Sequence, residues 1–148
     1  MRGIVASAFL VAAACGGDAG GPGTSHALAG DWTYVTWNLQ DGYTATCSTD
    51  QTALKLVQHG ATFDGQVLYG SMSCTWTGGG GTRNMGAGIV RSGIIKGDSV
   101  SYNFDKGQWR SFGTIVTPDS MAGIVNAVYA RTGGNLILTG YWSAKRQP

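Results

Sequence analysis

Between residues 52 and 58 the chain reads Thr-Ala-Leu-Lys-Leu-Val-Gln, with Leu54 and Leu56 on one side and Lys55 on the other. The same alternation runs through 99–104, where Val100, Tyr102 and Phe104 oppose Ser99, Ser101 and Asn103. It returns as Met121, Gly123, Val125, Ala127 and Tyr129, and again as Leu136, Leu138, Gly140, Trp142 and Ala144. A period of two belongs to a strand with one buried and one wet face. Strand-like runs fall at 31–38, 43–47, 52–58, 61–69, 72–76, 85–95, 99–104, 108–116, 120–130 and 135–144. Turn chemistry separates them: Asp41-Gly42, His59-Gly60, Gly97-Asp98, Pro118-Asp119 and Gly133-Gly134-Asn135. Outside the first residues no window holds a helical period.

Short turns between neighbours make the sheet a meander. Several neighbouring runs can merge into one bent strand, which gives about eight strands as the natural count. A meander with one apolar face must cover it, and closure on itself also removes the exposed edges. The pattern therefore predicts an all-β chain folded as a single antiparallel up-and-down β-barrel over 28–148. Glycines on the inner lines fit strands that bend sharply. Glycines 78–81 predict a flexible connection around 77–84. Gly93–Val100 and Gly113–Met121 repeat one phrase, strand, tight turn, strand.

Composition agrees with this and adds a location. Glycine occurs 25 times, charged residues make up 12%, and all eight acids are Asp. Glu is absent, and after residue 30 Thr, Val, Ile, Tyr and Trp are common, with Gly and Asp between the runs, which is β composition. A net charge of +2 gives no electrostatic footprint for nucleic acid. Residues 1–14, MRGIVASAFLVAAA, hold one Arg and a short apolar run ending in three Ala, as in a signal peptide too short to span a bilayer. Cys15 follows at once, and this order resembles the bacterial lipoprotein signal, in which that Cys is acylated. Ala12 stands where that signal prefers Leu, and ordinary secretion with Cys15 free is the alternative. Residues 15–27, rich in Gly, read as a flexible tether. Gly16, not Asp, follows the Cys, so the resemblance implies the outer membrane or its surface in a bacterial envelope. The membrane is then met through the lipid anchor only.

Cys47 and Cys74 are equally far from the Gly60/Ala61 midpoint. In an antiparallel hairpin such residues face each other, which predicts a disulfide. Closing that loop is worth about 3 kcal/mol in the chain-entropy model. A metal site is the rival reading, but there is no Cys-x-x-Cys, and His26 and His59 are the chain's two histidines. No metal or cofactor is expected.

Catalytic motifs fail in their context. Gly97-Asp98-Ser99 looks like the start of a lipase family, but no His follows His59 to activate the serine. GGGGTR at 78–83 lacks the Lys-Ser/Thr of a phosphate loop, and GAGIVRSG at 86–93 has the wrong glycine spacing for a dinucleotide. No catalytic residue is assigned, and an enzyme is not expected.

Two ends of the chain carry a further resemblance. Gly30-Asp31-Trp32 opens the first strand, and Trp142-Ser-Ala-Lys145-Arg146 closes the last, with Arg146 on the inward parity of Trp142 and Ala144. This layout is similar to the calycins, the superfamily of lipocalins, fatty-acid-binding proteins and avidins. The resemblance implies that Trp32 plugs one barrel end with Arg146 over it. Arg on Trp is worth about 0.5–2 kcal/mol. The second lipocalin motif and the long C-terminal helix are missing, so a plain barrel nearer the avidin outline is implied.

The resemblance also implies a cup for a small apolar or aromatic ligand, lined by Tyr34, Trp76, Tyr102, Trp109, Tyr129 and Trp142. An interior filled by these same side chains is an equal reading. Trp37 lies on the opposite parity from Trp32 and, with Tyr141, is expected to face outward as a contact surface. Three functions stay open: a tethered small-ligand binder, a protein-contact module such as a protease inhibitor, and an assembly protein of the envelope.

Overall fold

The computed structural model describes residues 26–42, 45–84, 86–104, 109–131 and 134–148, and for Tyr129, Ala130, Arg131 and Gly134 the backbone alone. The leader, Cys15 and the tether up to residue 25 lie outside the described residues. Strands are β1 Gly30–Gln40, β2 Thr46–Thr49, β3 Thr52–His59, β4 Thr62–Tyr69, β5 Ser71–Trp76, β6 Gly79–Asn84, β7 Gly88–Lys96, β8 Ser99–Phe104, β9 Trp109–Thr117, β10 Ser120–Arg131 and β11 Gly134–Arg146.

Eight of these close an antiparallel barrel in the order β1-β3-β4-β7-β8-β9-β10-β11, and β11 returns to β1. Closure runs from Trp32 opposite Arg146 to Trp37 opposite Tyr141. The inward parity is the one expected: Leu54, Leu56, Val100, Tyr102, Phe104, Val125, Leu138 and Trp142 are all buried. Apolar side chains fill the inside, while the outward positions mix Lys, Thr, Ser and Asn with exposed apolar residues such as Trp37, Ile124 and Tyr141.

The remaining strands, β2, β5 and β6, extend the sheet from the far end of β1, where Leu39 pairs with Cys47. Their register continues that of the β3–β4 hairpin. Leu56 faces Gly65, and Cys47 faces Cys74 with the sulfurs joined. Both pairs are equidistant from the Gly60/Ala61 midpoint, and the one irregularity lies between Ala53 and Leu54. Residues 77–84 correct the expected flexible connection. Gly79–Asn84 form β6, paired along their length with β5. The Trp76 ring lies against Gly79 and Gly81, giving glycine positions the packing they cannot supply themselves.

One barrel end carries the tight turns at 59–61, 97–98 and 118–119, the start of β1 and the end of β11. These turns are bonded sideways: Ile95 N donates to Ala61 O, Ile115 N to Asp98 O, and Arg146 N to Asp119 O. The other end carries the β2/β5/β6 apron, whose Cys47 and Met72 are buried with Leu39.

Candidate functional site

The plug is built from both chain ends. Trp32 is 1% exposed, and its indole Nε1 donates to Leu28 O at 2.9 Å. The Arg146 guanidinium lies over the ring, with Cζ 4.5 Å from its centroid. The same guanidinium donates to Ala29 O at 2.6 Å, to Ala27 O, and through Nε to Asp119 Oδ1 at 3.0 Å. Gly30 makes this possible. Its φ is +133°, and a Cβ there would come 2.8 Å from Arg146 Nη1. The arm before β1 is held as well. Leu28 N donates to Gln58 Oε1, Gln58 Nε2 donates to His26 O, and His26 Nε2 meets Asp98 Oδ1 at 2.7 Å. Every contact at this end fixes chain to chain.

The His26–Asp98 pair was not legible in the sequence, because 72 residues separate the partners. It stands beside Ser99, which opens β8 after a turn with Gly97 at φ +59°. The hydrogen bonds of His26 tie the arm to the β7–β8 turn and to Gln58 of β3. Among the described residues no three His, Cys or Asp side chains gather into a metal-holding group.

The structure brings together four of the six expected lining residues. Tyr34 stacks on Trp142 with centroids 5.7 Å apart, and Tyr102 meets Trp142 edge-on at 5.4 Å. Trp109 joins them through Phe104, which touches Tyr34, Tyr102 and Trp109. Phe63 closes the group against Tyr102. Phe63 and Phe104 were missed as site residues, although Phe104 lies on the alternating line of Tyr102. All six rings are 6% exposed or less.

Trp142 owes its position to two glycines. Gly113 and Gly123 pair across β9 and β10, and a Cβ on Gly113 would come 2.6 Å from the indole. Without side chains there, Trp142 Nε1 reaches Ile124 O at 2.9 Å and Phe112 O at 3.2 Å. Tyr102 sits opposite Ser111, both wholly buried. Burial pushes the Tyr102 phenol well above its ordinary value, and nearby Tyr34 adds to the rise. A hydrogen bond with Ser111 acts against it.

Trp76 does not join this group. Its strand, β5, pairs with β2 and β6 outside the closed barrel, and its ring is 47% exposed. Parity along β5 continues, but the sheet has left the barrel. The Tyr129 side chain lies outside the described residues, while its backbone pairs with Leu136.

On the wall, Trp37 and Tyr141 face outward as their parity required, 40% and 51% exposed. Their rings stack at 6.1 Å. A depression of about 630 Å³ lies on the outer faces of β3, β4 and β7, between Lys55, Val57, Ile89 and Arg91, with Gly65 in its floor. There β4 and β7 part at a bulge around Asp64, and Ser92 takes a φ of +55°. A second depression of about 350 Å³ lies between Val35, Ser143, Lys145 and Gln147. Both open on the wall rather than the interior. Comparison with protein-family models, with curated proteins and with solved structures finds no match to this chain.

Proposed function

We propose that this chain is a non-enzymatic, lipid-anchored β-barrel of the bacterial cell envelope, built on the calycin plan, and that it works by contact through its wall and apron. What carries the reading is the sorting of the aromatics. Tyr34, Phe63, Tyr102, Phe104, Trp109 and Trp142 pack ring on ring inside, while Trp37, Tyr141, Phe112 and Trp76 stand out in solvent. Filled interiors are ordinary for eight strands. Contiguous exposed aromatics such as Trp37 and Tyr141 mark contact surfaces.

The tether favours an orientation. From an anchor at Cys15 to His26 the chain spans at most about 40 Å. His26 is pinned at the plugged end, so that end stays within this reach of the membrane.

A second reading, a small-ligand binder, is favoured by one observation. The closed barrel gathers Tyr34, Tyr102, Trp109 and Trp142, four of the expected lining residues, in its interior. Native mass spectrometry of the full protein purified from its own host separates the two. A co-purifying chain, whether a second copy or another protein, supports contact; a stoichiometric small molecule overturns it in favour of the second reading.

A further inference from the structure

Four outward side chains on neighbouring strands form one row. Trp37 on β1 faces Tyr141 on β11, Tyr141 faces Ile124 on β10, and Ile124 faces Phe112 on β9. They are 40%, 51%, 47% and 47% exposed. With strands about 4.8 Å apart, the row crosses about 14 Å of wall. It leaves about 350–400 Å² of mostly apolar surface uncovered. That is about half of what each partner buries in a standard interface.

The flanking rows decide what covers it. Toward the apron lie Gln40, Thr139, Asn126 and Arg110, paired in that order. Toward the plug lie Val35, Ser143, Ala122 and Thr114. Arg110 is the one charged side chain in the three rows, and no carboxylate is present. Amides and hydroxyls both donate and accept, so these rows can bond to copies of themselves. A neutral stripe with such a rim is self-complementary, the condition for a two-fold interface. A strongly charged partner would find a single cation.

We infer that the stripe Trp37–Tyr141–Ile124–Phe112 is the interface of a homodimer, covered by the same stripe of a second copy. The inference rests on the reading of the wall as a contact surface and names its occupant. Placement of the N-terminal arm supports it. A two-fold axis running along the barrels keeps both arms at the same end, which suits two chains anchored in one membrane. That axis brings the middle of the stripe, Tyr141 and Ile124, against the same residues of the second copy.

The test is sedimentation velocity of the full chain across a concentration series, beside Ile124→Lys. The wild-type chain is expected to dimerise. The Lys variant is expected to weaken the dimer by about a hundredfold or more, the scale of like charges juxtaposed at an interface. Its far-ultraviolet circular dichroism should not change, because position 124 faces solvent. Ile124→Thr, which adds no charge and keeps the branched shape, should dimerise with intermediate strength. A wild-type monomer overturns the inference, and so does a dimer insensitive to Ile124→Lys. A monomer that binds phospholipid vesicles or a different protein through Ile124 also overturns it, while leaving the contact reading in place.

Discussion

Gly30→Ala probes the plug through a single methyl group. The backbone at Gly30 has φ +133°, a conformation that L side chains rarely adopt. Holding Ala there costs about 1–3 kcal/mol. The added Cβ would also lie 2.8 Å from Arg146 Nη1, so the guanidinium must move. Moving it loosens the bonds to Ala29 O and Ala27 O and lifts the cation from Trp32. A displaced cation–π contact adds about 0.5–2 kcal/mol, for a total of about 1.5–5 kcal/mol. Urea denaturation followed by tryptophan fluorescence and circular dichroism measures it, with an unchanged slope required. The second part is isolated by a double-mutant cycle with Arg146→Ala. In that background Gly30→Ala should cost about 1 kcal/mol less, since nothing remains to collide with the methyl group. Two results would refute the reasoning. One is a cost for Gly30→Ala within about 0.5 kcal/mol, as for an ordinary surface position. The other is strict additivity with Arg146→Ala.

Two further outcomes follow from the same geometry. Replacing Cys47 and Cys74 together by Ser should cost about 3–4 kcal/mol in the chain-entropy model for a 27-residue separation, measured by urea denaturation; a loss below about 1 kcal/mol would mean that β2–β5 pairing already restrains the unfolded chain or that the apron unfolds separately. Tyr102, raised well above 10.0 by burial, keeps its proton in the folded state after the unfolded chain has released it. Stability is therefore intact below pH 10.0 and falls as pH rises above it. Tyr102→Phe should move alkaline unfolding to higher pH, and tyrosinate absorbance from all tyrosines ahead of any change in circular dichroism would contradict the burial.

Much of this was legible because a strand's period is short and the core is continuous. Leu54 and Leu56, Val100 through Phe104, and Leu138 through Ala144 alternate without interruption, so their inward faces could be read directly. The disulfide was legible because a single turn at 59–61 sets the register for the whole hairpin out to Cys47 and Cys74. Trp37 and Tyr141 followed from parity alone.

What escaped depends on contacts that have no local signal. β6 is stabilised by pairing with β5 and by the Trp76 ring, while its glycines carry almost no β-propensity of their own. Trp76 keeps the parity of an inward residue on a strand that has left the barrel. The His26–Asp98 pair and the Gly113–Gly123 cradle under Trp142 exist only after closure. The apolar stripe could not be seen either, since its four residues come from four strands.

Plug, filled interior and wall stripe all presuppose that β11 closes on β1. Native-state hydrogen exchange across that seam, Trp32–Trp37 against Tyr141–Arg146, tests it directly. The account predicts protection there equal to that of the β10–β11 seam, with exchange governed by global unfolding. Seam amides that exchange as fast as an exposed sheet edge would contradict it.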